Sequence, residues 1–364
     1  MRTWIAPVIA LIAVAALPTV LTPYTQDLVL KIAVFAIFAL SLELLVGSTG
    51  LVSLGHAAFF GIGAYVTVLA TGDAGPASLL WLLPAAMGAA ALYALFVGAL
   101  SLRTSGVYFI MVTLAFAQMA YFVFHDTKLG GGSDGIFLYS KPVLAIGSRT
   151  LLDLDDKAHF YYLVLAALAF TYGLLALIAR SRLGHALAGI RVNEQRMRAA
   201  GFRTYGYKLA AFVIGGSLAG LAGFLMAVKD GAVNPELLSW HQSGAVLLMI
   251  ILGGIGSLRG AVIGAAAFTL LQELFQSEAL HGFKAHRHPQ APARLTRDTA
   301  KHAYPALLRA SAIGSLSQSS GLITWPPPRR TAMSCIALSS HIVVSRSLRR
   351  SSSSASRVSA ARNS

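Results

Sequence analysis

Few residues in this chain have the types and spacing that catalysis needs. Gly131-Gly-Ser-Asp-Gly135 has the Gly-x-Ser-x-Gly spacing of a nucleophile elbow. That serine works on a strained strand-to-helix turn, whereas the sequence here predicts a polar loop with no strand before it. A His-Glu-x-x-His zinc motif does not occur. None of the eight lysines is followed by Ser or Thr, so there is no Gly-x-x-x-x-Gly-Lys-[Ser/Thr] loop to cradle a nucleotide phosphate. The one cysteine, Cys335, cannot close an intramolecular disulfide, and no Cys/His spacing suggests a metal. The expectation is a chain without catalytic residues, metal or cofactor.

The elements that carry the remaining polar residues are set by hydropathy. Of 364 residues, 56% are hydrophobic and 12% charged, against about 25% charged in soluble proteins, which excludes a water-soluble globule. The pattern predicts an all-α polytopic membrane protein. About nine transmembrane helices are expected, at 4–22, 28–46, 51–70, 79–102, 106–124, 159–179, 209–228, 244–258 and 260–275. The first follows Met1-Arg2 and lacks a convincing small-residue cleavage site, so it reads as a retained helix rather than a signal peptide.

Charge sets the orientation, because Lys and Arg flanking membrane spans stay on the cytoplasmic side. Residues 180–208 hold seven basic residues and one acid, while 125–158 hold four basic residues and five acids. The first segment is expected inside, the second outside as a periplasmic loop, and the N-terminus inside. The net charge of +15 divides unevenly at Phe275. Residues 1–275 carry 16 basic and 12 acidic side chains, and 276–364 carry 13 and 2 with 18 serines. Nine spans deliver residue 276 outside, which strands this basic tail on the wrong side. The expectation is that 276–364 is disordered, or a frameshifted or otherwise aberrant terminus. If neither alternative reading frame after codon 276 encodes another apolar span, that reading is wrong.

Two segments rich in glycine and small residues interrupt pairs of apolar runs, Gly47 to Tyr65 and Gly253 to Gly264. Such breaks occur where helices approach closely or unwind around a path. Glu43, the only carboxylate within the second to eighth spans, is a functional candidate if buried, but near the end of its span it is expected to reach the interface.

At the first of these segments a family becomes recognisable. GSTGLVSLGHAAFFGIGAY (47–65), GVYFIMVTLAFAQM (106–119), GGSDGI (131–136), SRLGHALAGIRVNEQRMRAAGF (181–202), YKLAAFVIGGSLAGLAGFL (207–225) and ILGGIGSLRGAVIGAA (251–266) together resemble the permease subunits of branched-chain amino acid ABC importers. The resemblance covers about residues 28–275 in order and does not extend into the tail. It implies a bacterial inner-membrane permease that works with two ABC ATPase subunits, a second permease subunit and a periplasmic amino-acid-binding protein in the lipid bilayer, with no nucleic acid. It also implies that 180–208 is the cytoplasmic loop coupling to the ATPases, through Arg191, Asn193, Glu194, Gln195, Arg198, Ala199, Ala200 and Gly201. From the residues themselves, Ala186 to Gly201 reads as one short helix with Leu187, Ile190, Met197 and Gly201 on one face, and Glu194 and Arg198 paired at i and i+4. An ordinary basic loop that only sets topology remains open.

Gly47, Ser53, His56, Gly61, Thr113, Gln118, Gly253 and Gly256 are candidates for the translocation path. The hydroxyls and the amide suit a zwitterion better than full charges would. Helix packing remains the alternative for the glycines and for His56. A permease for urea, amides or another small solute, an ion-coupled secondary transporter using Glu43, an integral-membrane hydrolase and a lipid- or nucleic-acid-binding tail are the competing functional readings.

Overall fold

The computed structural model describes residues 22–71, 78–146 and 149–286. The expected first span and the basic tail beyond residue 286 lie outside the described residues. Ten helices run in the order α1 (Pro23–Thr49), α2 (His56–Thr71), α3 (Leu79–Ser101), α4 (Val107–Asp126), α5 (Lys157–Arg180), α6 (Arg182–Val192), α7 (Glu194–Ala199), α8 (Thr204–Asp230), α9 (Trp240–Gly253) and α10 (Leu258–His286). Between α4 and α5 lie β1 (Ile136–Phe137), β2 (Val143–Ile146) and β3 (Arg149–Asp153), and β4 (Ala232–Val233) follows α8. β1 pairs antiparallel with β4, and β2 with β3. These strands mark one end of the bundle, the strand end, while α6 and α7 mark the other, the basic end.

α1 and α8 form the centre, buried along most of their length. Both are apolar on nearly every face, as a helix surrounded by protein must be. α3 buries one stripe that includes Leu82, Ala86, Ala90, Ala94 and Val97, spaced so that small side chains line one face. That stripe meets glycines of α8. A Cβ added at Gly220 would lie 2.5 Å from the Ala90 Cβ, and one at Gly216 would collide with Ala94. One turn further along the same face of α8, a Cβ at Gly223 would strike the Phe60 carbonyl of α2. Within a bilayer, where lipid tails are as apolar as the side chains, this backbone-to-backbone approach supplies the dispersion contacts that hold helices together. At the strand end, Lys229 of α8 lies 2.8 Å from Asp230 and 3.4 Å from Asp27 of α1.

The protein is an all-α polytopic membrane chain, and the count of nine crossing helices is not confirmed. Among the described residues, six helices are long and apolar enough to cross a membrane: α1, α3, α4, α5, α8 and α10. α2 has 16 residues and α9 has 14, about 24 and 21 Å at 1.5 Å per residue, short of a hydrocarbon layer about 30 Å thick. Main-chain breaks shorten both. Gly50, at φ 73°, ends α1, and residues 51–55 follow without helix. Gly254 and Gly256, at φ 94° and 96°, end α9. Positive φ is cheap only without a side chain, so these glycines fix where the helices stop.

The basic segment departs from the single helix expected between Ala186 and Gly201. It is two helices, because Asn193 is extended (φ −159°, ψ 99°) and its side chain caps α7, accepting from the Arg196 N–H at 2.9 Å. Asparagine competes well for a cap and poorly for a helix interior.

Candidate functional site

At the basic end, α6 and α7 are joined to the two central helices by polar contacts. Leu187 and Ile190 of α6 are buried, which leaves Arg191 on the rim. Its guanidinium donates to the Gly47 carbonyl in the last turn of α1. The last four carbonyls of a helix have no intrahelical partner and carry partial negative charge, so a cation here satisfies an acceptor and the helix dipole together.

Glu194 makes the second attachment. Its Oε1 accepts from Arg198 at 2.6 Å, from Lys208 at 2.8 Å and from the Thr204 hydroxyl at 3.1 Å. Thr204 and Lys208 sit in the first turns of α8 and are themselves buried. Partial burial pushes the Glu194 carboxyl up, but hydrogen bonds from Lys208 and Arg198 outweigh it and hold the group below the ordinary carboxylate value.

Glu43 extends these contacts to a third helix. Rather than reaching the membrane surface, it is 3% exposed, and its Oε1 accepts from the Gly256 N–H at 2.6 Å. Gly256 lies two residues before α10, so a carboxylate from α1 holds the turn that leads into that helix, whose first turn is capped by the Ser257 hydroxyl accepting from the Gly260 N–H at 3.2 Å. Gly47 makes room for it, since a Cβ there would collide with the Glu43 carboxylate. The Arg191 guanidinium lies close enough to act on the Glu43 charge and 3.4 Å from where a Cβ on Gly256 would be. Arg191, Gly47, Glu43 and Gly256 therefore meet at one junction, although they span more than 200 residues of sequence. The second Glu43 oxygen, Oε2, is buried without a partner.

Past α7 the chain turns at Gly201 (φ 87°). Ala200, Gly201, Phe202, Arg203 and Tyr207 line a shallow pocket of about 430 Å³ open to the basic end. Gln195, Ala199, Ala200 and Gly201 are exposed there.

The other path candidates lie deeper. His56 is fully buried, its ring stacked on Phe38 at 5.8 Å and edge-on to Phe59 at 5.5 Å. Its Nε2 is 2.9 Å from the Ser41 Oγ. That hydroxyl donates to the Phe38 carbonyl at 2.6 Å, so Nε2 carries the proton and Nδ1 is left as a buried acceptor with no partner. Ser53 is buried and accepts from the Gly55 N–H at 3.3 Å. The Thr113 hydroxyl returns to the Ile110 carbonyl at 2.9 Å, and a Cβ on Gly55 would lie 3.2 Å from the Thr113 Cβ. Gly61 faces Leu238, Gly253 packs on Gly260, and Gln118 is half-buried on α4. The first turns of α2 and α9 touch, the Ala57 N–H donating to the Ser243 Oγ at 3.0 Å. Gly47 and Gly256 thus stand with Arg191 at the basic end, while Ser53, His56, Gly61 and Thr113 are packed inside the bundle.

Ser41, Ser243, Thr204 and Lys208 escaped the sequence reading. Only Lys208 carried a signal, a cation beside an apolar run. Its partner lies 14 residues earlier across a turn, beyond any local spacing rule.

Comparison with known proteins gives this architecture its place. The family described as branched-chain amino acid transport system / permease component matches residues 24–282, from α1 to α10 and across both glycine-rich segments. The chain belongs to this family. The permease LivM of Escherichia coli (strain K12), named for high-affinity branched-chain amino acid transport, is 31% identical over 287 residues, covering 73% of this chain and 67% of that protein. LivM of Salmonella typhimurium is 30% identical with the same coverage. The permease BraD of Pseudomonas aeruginosa is 32% identical over 93 residues, 26% of this chain and 30% of its own. No solved structure matches at a significant level. In this permease family member, the basic-end junction links the segment between α5 and α8 to the helices that make up the membrane core.

Proposed function

We propose that this permease carries branched-chain amino acids across the bacterial inner membrane as one membrane subunit of an ATP-driven importer. Two ATPase subunits, a second permease and a soluble periplasmic amino-acid-binding protein complete the transporter, and the chain itself performs no chemistry. The N-terminus and the basic end face the cytoplasm, and the strand end receives the loaded binding protein.

The observation that carries this reading is the attachment of residues 191–201 to the membrane core. Arg191 caps α1, Glu194 grips the first turns of α8, and the adjoining pocket from Ala200 to Tyr207 is open for a side chain of an ATPase. A push on α6 and α7 then acts on the two most buried helices directly. Switching needs two helix packings of similar energy that the ATPases and the loaded binding protein bias in opposite directions.

The test is affinity purification of the tagged chain from its native membrane, paired with uptake of labelled leucine. Two ATPases and a second permease are expected to co-purify, and the ATPases to be lost when Gln195, Ala199, Ala200 and Gly201 are replaced together by bulky residues. ATPases retained after those replacements, with leucine uptake intact, would remove the coupling assignment. Absence of leucine uptake by the wild-type complex would remove the substrate assignment.

A further inference from the structure

The helices that face outward at mid-depth present apolar side chains there. Leu92 and Phe96 on α3, Met111 and Met119 on α4 and Phe170 on α5 are all exposed, as contact with lipid requires. α9 differs. Its first turn carries Trp240, 47% exposed, then His241, also exposed, and Gln242, half-buried.

Three contacts fix the depth of that turn. Ser243 bonds the first turn of α2 at Ala57, the adjacent His56 bonds Ser41 of α1, and Leu238 lies against Gly61. Ser41 is eight residues from the end of α1, about 12 Å inside it at 1.5 Å per residue. α9 runs from this level toward the basic end, where Gly253 and Gly256 lie, so His241 is higher still, in the middle of the membrane. Asn234 and Glu236, both exposed, mark the chain's descent to this level from the β1–β4 pair at the strand end.

A polar side chain facing lipid at that depth is costly, and such residues border a water-filled cavity or a path. The imidazole lies against the Trp240 ring, with centroids 4.0 Å apart and planes tilted by 32°. Below it on the same face, at i+4 and i+7, stand Ala245 and Leu248, half-buried and exposed. One turn, about 6 Å, separates the polar level from the apolar one.

We propose that this face of α9 is a wall of the translocation path, with His241 meeting the charged head of an amino acid while Ala245 and Leu248 meet its apolar side chain. The inference rests on the import function proposed above and adds the residues that recognise the substrate class. An imidazole brings two ring nitrogens capable of hydrogen bonding, which suits the polar head of a zwitterion.

The test uses the assembled transporter with Cys335→Ser in the full chain, which removes this chain's one thiol, and labelling is read on this chain alone. Into it go His241→Cys and, separately, Leu92→Cys on the lipid face of α3. The probe is a water-soluble, membrane-impermeant methanethiosulfonate cation, used with and without saturating leucine. His241→Cys is expected to react roughly tenfold or more faster than Leu92→Cys, as a thiol in water rather than lipid does, and leucine is expected to slow it several-fold. Gln242→Cys, one position along, serves as a second probe should His241→Cys fail to assemble. A rate no faster than that of Leu92→Cys, or one unchanged by leucine, overturns the inference. Leucine uptake by the Cys335→Ser complex is measured alongside. Uptake without protection defeats this inference alone, whereas absence of uptake defeats the import reading together with the substrate class drawn from it.

Discussion

The basic end and the middle of the bundle are held by opposite means. At the basic end, helices are joined by charged side chains laid over helix termini: Arg191 on α1, Glu43 before α10 and Glu194 on α8. In the middle, α8 meets α2 and α3 through glycines, with main chain against main chain or methyl. The first kind of contact can break and re-form as a side chain swings, because the groups lie within reach of water or of one another. The second has no side chain to move, so separating the helices forfeits a whole row of contacts at once. A close-packed interior shifts between discrete arrangements rather than deforming smoothly. Movement is therefore expected to begin at the polar contacts, with α8 carried as a rigid unit with α2 and α3.

The comparison breaks most severely in the middle. Gly223→Leu would drive a side chain into the Phe60 carbonyl, and overpacking of this kind costs about 1–3 kcal/mol or more. The expected outcome is loss of the assembled complex, read from its yield in detergent and its melting temperature. Next comes the junction. Glu43→Ala removes the acceptor from the Gly256 N–H, with an expected cost of about 1–3 kcal/mol for a buried donor left unpaired. Glu43→Gln keeps an acceptor oxygen and is expected to retain most of the stability. Equal melting temperatures for the two variants would show that the bond to the Gly256 N–H does not hold the junction.

Hydropathy made the long helices legible, because each long apolar run has one dominant cause, the bilayer. It did not show where α2 begins, because Leu51, Val52 and Leu54 keep the run apolar while the main chain stops being helical, and hydropathy records side chains only. The Glu194–Arg198 pair was legible as an i, i+4 spacing and is present at 2.6 Å. Its extension to Thr204 and Lys208 depends on how α7 turns into α8, which no periodicity encodes. Glu43 was expected at the surface because it lies near a span's end. What buries it is Gly256, brought there by the whole topology of the bundle.

A finer probe of the middle is Ser243→Ala. The hydroxyl accepts from Ala57 at the start of α2, one of the few side-chain hydrogen bonds between the two short helices. Removing it is expected to cost about 1 kcal/mol. Hydrogen exchange should report the loss as faster exchange in the first turn of α2 with the long helices unchanged. Uniform acceleration across the bundle would instead make α2 and α9 part of one cooperative unit with α1 and α8.

The smallest effect sharpens the comparison through pH. The Glu194 carboxyl is held below its ordinary value in the folded protein, so the folded state binds a proton there less readily than the unfolded chain does. The stabilisation is fully present above the unfolded carboxylate value and is lost as pH falls through the folded one. The side chain is about one-third exposed, which screens the ion pairs and limits the contribution to below about 1 kcal/mol. Acidification should therefore loosen α7 and the start of α8, seen as faster amide exchange after correction for the intrinsic pH dependence, before the middle of α8 responds. Glu194→Gln keeps an acceptor for Lys208 and Arg198 but cannot titrate, so the pH dependence of that local protection should flatten. If it persists unchanged in Glu194→Gln, some other group controls the attachment, and the basic end would not be the readily released region that its charged caps imply.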